Sequence, residues 1–174
     1  MVGLSRKNHQ NIALVGFSST GNLNVLAYIS QSPIPEVKKA ILFGFNPITF
    51  DLSERQQARA EVERKQINSS KDIKNFSMGY CKNNYTATVD SYLSYTQYDE
   101  SRLLQMLKQS HIAADIILGS ADTLLPATWL AKIKTLPPRN SVISIDKANH
   151  FFDGTSEFDL SEEVENLLQT VTIK

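Results

Sequence analysis

Asn11-Ile12-Ala13-Leu14-Val15-Gly16-Phe17-Ser18-Ser19-Thr20-Gly21 is the stretch that decides the fold. Its first half is a short apolar run that stops abruptly at glycine, serine and glycine. A helical pattern follows at once, carried by Leu23, Leu26, Ala27 and Ile29. A buried strand that turns sharply into a helix, with serine at the corner, is a nucleophile elbow. The tight turn forces the serine into a strained backbone conformation and lifts its hydroxyl above the sheet edge. Glycine is expected nearby because side chains there collide with the helix or the strand.

Outward from the elbow, three more segments resemble 11–17 in being short and rich in Ile, Val, Leu or Ala: 39–43, 113–118 and 141–145. None alternates strictly, as expected of strands covered on both faces. Helical patterns follow at 20–30, 126–135 and 160–170, the last opened by Asp159-Leu160-Ser161-Glu162 at capping-box spacing with Asp159 at the cap. This alternation predicts an α/β fold with a mostly parallel sheet and flanking helices.

About 65 residues separate the second strand from the third, far longer than a usual crossover. Within them, 53–67 reads as a polar surface helix opened by Ser53-Glu54-Arg55-Gln56, with Ala58 and Val62 as its few apolar positions. A Tyr- and Asn-rich stretch, 76–98, precedes an amphipathic helix over 99–109 carrying Leu103, Leu104 and Leu107. The interval 46–111 is therefore expected to be a helical cap or lid inserted into a single domain, 1–174.

Composition narrows the class. At 174 residues, with 41% hydrophobic and 21% charged, the chain is long enough for one sizeable core and has the balance of a soluble globular protein. Eighteen basic residues balance eighteen acidic ones, so no electrostatic footprint for nucleic acid or an anionic membrane is visible. No apolar run approaches the roughly 20 residues of a membrane helix, and the polar, basic opening lacks the apolar stretch of a signal peptide. A single cysteine, Cys81, excludes an intrachain disulfide and fits a reducing cytoplasm.

A serine hydroxyl is a poor nucleophile until a base removes its proton, and that base must be oriented by a third group. Asp122 lies in Gly119-Ser120-Ala121-Asp122-Thr123-Leu124-Leu125-Pro126, just beyond the third strand, and His150 lies in Ala148-Asn149-His150-Phe151-Phe152, just beyond the fourth. In a parallel sheet all three loops open on the same edge, where ligand sites form. Each residue alone has a plainer reading. Ser18 could sit in an ordinary turn, Asp122 could cap the helix near Pro126, and His150 could be a satisfied, partly buried side chain. Their joint occurrence in the order Ser, Asp, His favours chemistry.

Other signals are weaker. His9 and His111 lack metal-ligand spacing, so no metal site is expected. Cys81 has no CxxC partner and reads as a residue of the insertion. Tyr92, Tyr95 and Tyr98 recur at helical spacing, with packing as the default reading and a substrate-facing surface as the alternative. Gly16 and Gly21 fit neither a dinucleotide fingerprint nor a P-loop.

On these motifs the chain resembles the C-terminal two-thirds of an α/β-hydrolase, across 11–45 and 112–174, with the insertion where that family carries its lid. The resemblance implies Ser18 as nucleophile, His150 as general base and acid, Asp122 as the group orienting His150, and the Ser19 N–H as one oxyanion-hole donor. It implies a serine hydrolase of small-molecule carboxylic esters or thioesters, working through an acyl-enzyme without a cofactor. Serine at the elbow argues against the aspartate-nucleophile chemistry of dehalogenases and epoxide hydrolases.

Two departures from the family pattern stand out. Thr20 occupies the final glycine position of G-x-S-x-G, with Gly21 one place later, which implies a tighter fit. The nucleophile strand, normally fifth of about eight, comes first, and 1–9 resembles the tail of the helix that precedes it. The chain is therefore expected to be truncated, without the earlier strands and without the loop that supplies the second oxyanion donor, worth about 10²–10³ in rate. Such a chain has an open sheet edge, a route to self-association. The rival expectation is a catalytically inactive hydrolase fragment or binding remnant.

Overall fold

The computed structural model describes residues 11–79 and 81–172, with side chains described for all of these except 81–83 and 172. The expected helix tail over 1–9, His9 and Tyr80 lie outside the described residues, as does the Cys81 side chain.

Contacts divide the chain into two units, 1–46 with 103–174 and 47–102. The first is built on a four-stranded parallel sheet in the order β1 (Ile12–Phe17), β2 (Val37–Phe43), β5 (Ala113–Gly119), β6 (Ser141–Ile145). All four expected strands are present, β2 beginning two residues before its expected start and β5 ending one residue later. Ile41, Ile117 and Ile145 form a core on one sheet face with Ala148 and Phe152. Leu160, Val164 and Leu167 of helix α6 (Ser156–Thr172) pack against that core, a spacing that puts one stripe of the helix on the sheet.

Helix α1 (Ser18–Ile29) buries Asn22, Leu23, Leu26 and Ile29 and contacts β1 and β2. Parallel pairing brings the C-terminal ends of β1, β2, β5 and β6 to one edge. At the other end, Lys39 Nζ lies 2.7 Å from Asp115 Oδ2, and Ser141 Oγ donates to Asp115 Oδ1 at 2.5 Å. A buried carboxylate so paired spares the sheet an uncompensated charge. Val15 and Phe17 are exposed on β1, which pairs with β2 alone among the described strands.

α6 begins at Ser156, so Asp159 sits in its first turn rather than at the cap. Helix α5 (Ala127–Ile133) has Pro126 as its N-cap, and Asp122 does not cap it.

The 47–102 unit is less helical than its composition implies. Helix α2 (Leu52–Glu63) is capped by Asp51, whose carboxylate accepts from the Ser53 and Glu54 N–H groups, two residues before the expected start. The Ser53 hydroxyl bond, then the Glu54 and Ser53 N–H bonds, hold the Asp51 carboxyl below its ordinary range. A lowered pKa means the cap contributes fully above the ordinary carboxylate range and weakens as pH falls through the lowered value.

Within the Tyr- and Asn-rich stretch lies an antiparallel hairpin, β3 (Ile73–Met78) with β4 (Cys81–Thr88). Helix α3 (Val89–Tyr95) follows it. Tyr92 is fully buried and stacks on Phe76 at 3.8 Å between ring centroids, so packing accounts for it. Helix α4 (Glu100–Gln109) then crosses from one unit into the other, burying Leu103, Met106 and Leu107. No helix among the described residues is long and apolar enough to cross a membrane.

Candidate active site

Ser18 has φ of 56°, in the left-handed region that a side chain enters at a cost of about 1–2 kcal/mol. The turn from β1 into α1 leaves no residue between them, so Ser18 is itself the first residue of the helix. Gly16 permits this. A Cβ there would lie 2.7 Å from Asn22 Oδ1 and 2.9 Å from Asn22 Cα. Asn22 is fully buried, and its Nδ2 donates to the Phe43 carbonyl at 3.0 Å, tying the back of the elbow to β2. Gly21 is different, since a Cβ there meets nothing closer than 3.8 Å. Thr20, the β-branched residue at the family's glycine position, is exposed.

The three expected site residues converge. Ser18 Oγ lies 3.0 Å from His150 Nε2, and His150 Nδ1 lies 2.8 Å from Asp122 Oδ2. His150 and Asp122 are buried, at 2% and 8% exposure, while Ser18 remains partly open. With Nδ1–H donating to the carboxylate, Nε2 is left to accept the serine proton. The other carboxylate oxygen, Asp122 Oδ1, accepts from the Leu124 N–H at 2.8 Å, which fixes the rotamer.

The acid and histidine loops are zipped together by backbone bonds. Ser120 N–H donates to Ile145 O and Ala121 N–H to Ala148 O, each at 2.9 Å. Gly119 makes the approach feasible, because a Cβ there would sit 2.3 Å from the Ala148 oxygen. Asn149 stiffens the next turn, accepting from the Phe151 N–H at 2.9 Å and donating to Asp153 at 2.8 Å. Gly119→Ala is therefore expected to destabilise the protein by about 1–3 kcal/mol through overpacking and to move His150 off Ser18. Gly21→Ala, in a helix with room, is expected to be neutral or to stabilise by up to about 1 kcal/mol. Urea unfolding of the two variants checks the contrast.

Residues that sequence reasoning passed over complete the site. Gly44, at φ of 59°, lets the chain pass the imidazole: a Cβ there would lie 3.3 Å from His150 Cε1. The Asn46 carboxamide accepts from Ser19 Oγ at 3.0 Å and faces the Leu124 carbonyl at 3.5 Å. The only sequence signal is Gly44-Phe45-Asn46-Pro47, which reads as an ordinary turn. Aromatic rings frame the imidazole, with Phe17 at 5.9 Å and Phe151 at 5.2 Å between centroids. Phe17 and Phe151 are 37% and 63% exposed, so they present an apolar rim.

This combination of sheet order, elbow and loops is the α/β-hydrolase fold, and solved structures bear it out. The chain is similar to the α/β hydrolase GrgF from Penicillium sp. sh18, at TM-score 0.71 and 14% identity, covering 99% of this chain and 69% of that one. It is similar to a thermophilic esterase from Thermogutta terrifontis, at TM-score 0.60 and 14% identity, covering 98% and 67%. A bromoperoxidase from Bacillus anthracis matches at TM-score 0.59 and 16% identity, covering 95% and 70%. No protein-family model matches the sequence, and no curated protein does. At these identities the likeness establishes the fold, and the differing names of the three neighbours leave the reaction to be argued from the site.

Proposed function

We propose that the protein is a serine hydrolase that cleaves a carboxylic ester or thioester through an acyl-enzyme. The observation that carries this reading is the continuous Ser18–His150–Asp122 hydrogen-bond chain at 3.0 and 2.8 Å, with the serine held at positive φ. In this mechanism His150 Nε2 takes the Ser18 proton as Oγ attacks the substrate carbonyl carbon. The Asp122 carboxylate stabilises the imidazolium that forms. The tetrahedral oxyanion lies against the Ser19 N–H, one of the first-turn donors that α1 leaves without a carbonyl partner. Collapse expels the alcohol or thiol, which takes its proton from His150. Water, activated by the same imidazole, then attacks the acyl group and returns Ser18 to its resting state.

The apolar rim of Phe17 and Phe151 supports an apolar acyl or alcohol portion in the substrate. The interval 46–111 falls between β2 and β5 in the chain, which supports reading it as a cap or lid insertion. One cysteine in the chain suits a reducing compartment.

Rapid mixing with p-nitrophenyl acetate and butyrate tests the reading. The expected result is a burst of nitrophenolate that scales with protein concentration, followed by steady turnover. Folded protein with neither burst nor turnover above buffer would overturn it and favour the catalytically inactive remnant.

A further inference from the structure

The loop after β2 carries a residue whose position is explained by neither folding of the sheet nor the catalytic chain itself. Asn46 lies outside the strands and helices and is buried, at 5% exposure. Its amide faces the first turn of α1 on one side and the loop after β5 on the other. Leu124 O can only accept, so the amide NH₂ faces it, at 3.5 Å, and Oδ1 is left for the Ser19 hydroxyl, at 3.0 Å. The Ser19 hydroxyl is thereby committed as a donor to Asn46.

The contacts close on themselves. Ser18 bonds His150, His150 bonds Asp122, and Asp122 accepts from the Leu124 N–H. Leu124 O meets Asn46, and Asn46 accepts from Ser19, the neighbour of Ser18. Asn46 is thus the one side chain in this circuit that joins the acid loop to the oxyanion side of the elbow. Its own loop is anchored: Trp129, fully buried, donates Nε1–H to Phe45 O at 2.9 Å and packs edge-on against the Phe45 ring at 5.3 Å. Gly44 N–H donates to Ile117 O at 2.9 Å.

We infer that Asn46 is a positioning residue for the oxyanion donor, acting through the Ser19 hydroxyl to hold the Ser18–Ser19 peptide where the transition state needs it. This rests on the serine-hydrolase reading. A donor displaced by a fraction of an ångström loses much of its effect on the transition state while leaving ground-state binding nearly untouched.

The test compares the parent chain with Asn46→Ala, Ser19→Ala and the double variant, using p-nitrophenyl butyrate turnover and the second-order rate of fluorophosphonate labelling. Ser19→Ala removes one hydroxyl and keeps the fold, so it stands even if Asn46→Ala folds poorly. Each single change is expected to lower kcat and the labelling rate by about 10- to 100-fold with KM nearly unchanged. The double variant is expected to be no worse than the poorer single variant, because both changes break the same link. The pH profile of kcat/KM should fall uniformly and keep its midpoint.

A labelled parent with Ser19→Ala at parental rates would overturn the role of Asn46 alone, as would multiplicative losses in the double variant. A shifted pH midpoint would also overturn it, placing the effect on the His150–Asp122 arm. A folded parent that neither turns over ester nor labels would overturn the hydrolase reading itself, and the role of Asn46 with it.

Discussion

Ser18→Ala is expected to abolish ester turnover, lowering kcat by about 10⁴-fold or more, while leaving the fold intact. The Ser18 hydroxyl lies 3.0 Å from His150 Nε2, and alanine removes that oxygen while keeping the backbone and Cβ. Alanine tolerates the left-handed backbone no better than serine does, so unfolding should shift by less than about 0.5 kcal/mol. Ser18→Gly supplies an independent check on the strain. Glycine enters φ of 56° freely, so that variant should be equally inactive but more stable by about 1 kcal/mol. Steady-state kinetics and urea unfolding on the three proteins separate the two effects. Substantial turnover in Ser18→Ala would move the chemistry elsewhere.

Asp122→Asn is the second large effect, with an expected loss of about 10³- to 10⁴-fold in kcat and a far smaller change in KM. The carboxylate uses both oxygens: Oδ2 accepts from His150 at 2.8 Å and Oδ1 from the Leu124 N–H at 2.8 Å. An amide keeps the shape but has one oxygen for two donors. If the oxygen stays with Leu124, the NH₂ faces Nδ1 and drives the imidazole into the tautomer whose Nε2 carries a proton. Such an imidazole cannot take the proton of Ser18. The stability cost should be about 1–3 kcal/mol, since a buried donor would otherwise face a donor. A loss below tenfold would show that Asp122 only shapes its loop.

How much of this was legible in the sequence follows from the range of the interactions involved. The four strands of the main sheet announced themselves as apolar runs, since strands such as Val37–Phe43 and Ala113–Gly119 have buried residues on both faces. The elbow was legible because the apolar run ends at Gly16 and turns helical without a linker. Asp122 and His150 could be found because each follows a strand directly, so topology alone delivers them to one edge.

The β3–β4 hairpin was not legible. Its strands contain Lys74, Asn75, Ser77 and Asn84, and Ile73 is exposed, so no alternating apolar face marks them. Pairing across the hairpin and the Phe76–Tyr92 stack give the segment its structure instead. The Asp51 cap was missed because Ser53 and Gln56 offered a competing pattern two residues on. Gly44 and Asn46 were invisible for another reason. Their partners, His150 and Leu124, lie far along the chain, and no local pattern records a contact that only the folded loops create.

The most direct measurement is the intact mass of the protein after exposure to a fluorophosphonate, alongside Ser18→Ala. The phosphorus centre accepts the same attack as an ester carbonyl and stays on the attacking oxygen, so labelling reads the assembled nucleophile and base. The account predicts one adduct per chain, mapped by peptide sequencing to Ser18 and lost in the variant. A folded parent that gains no mass, or a Ser18→Ala protein that still takes up the probe, would contradict it.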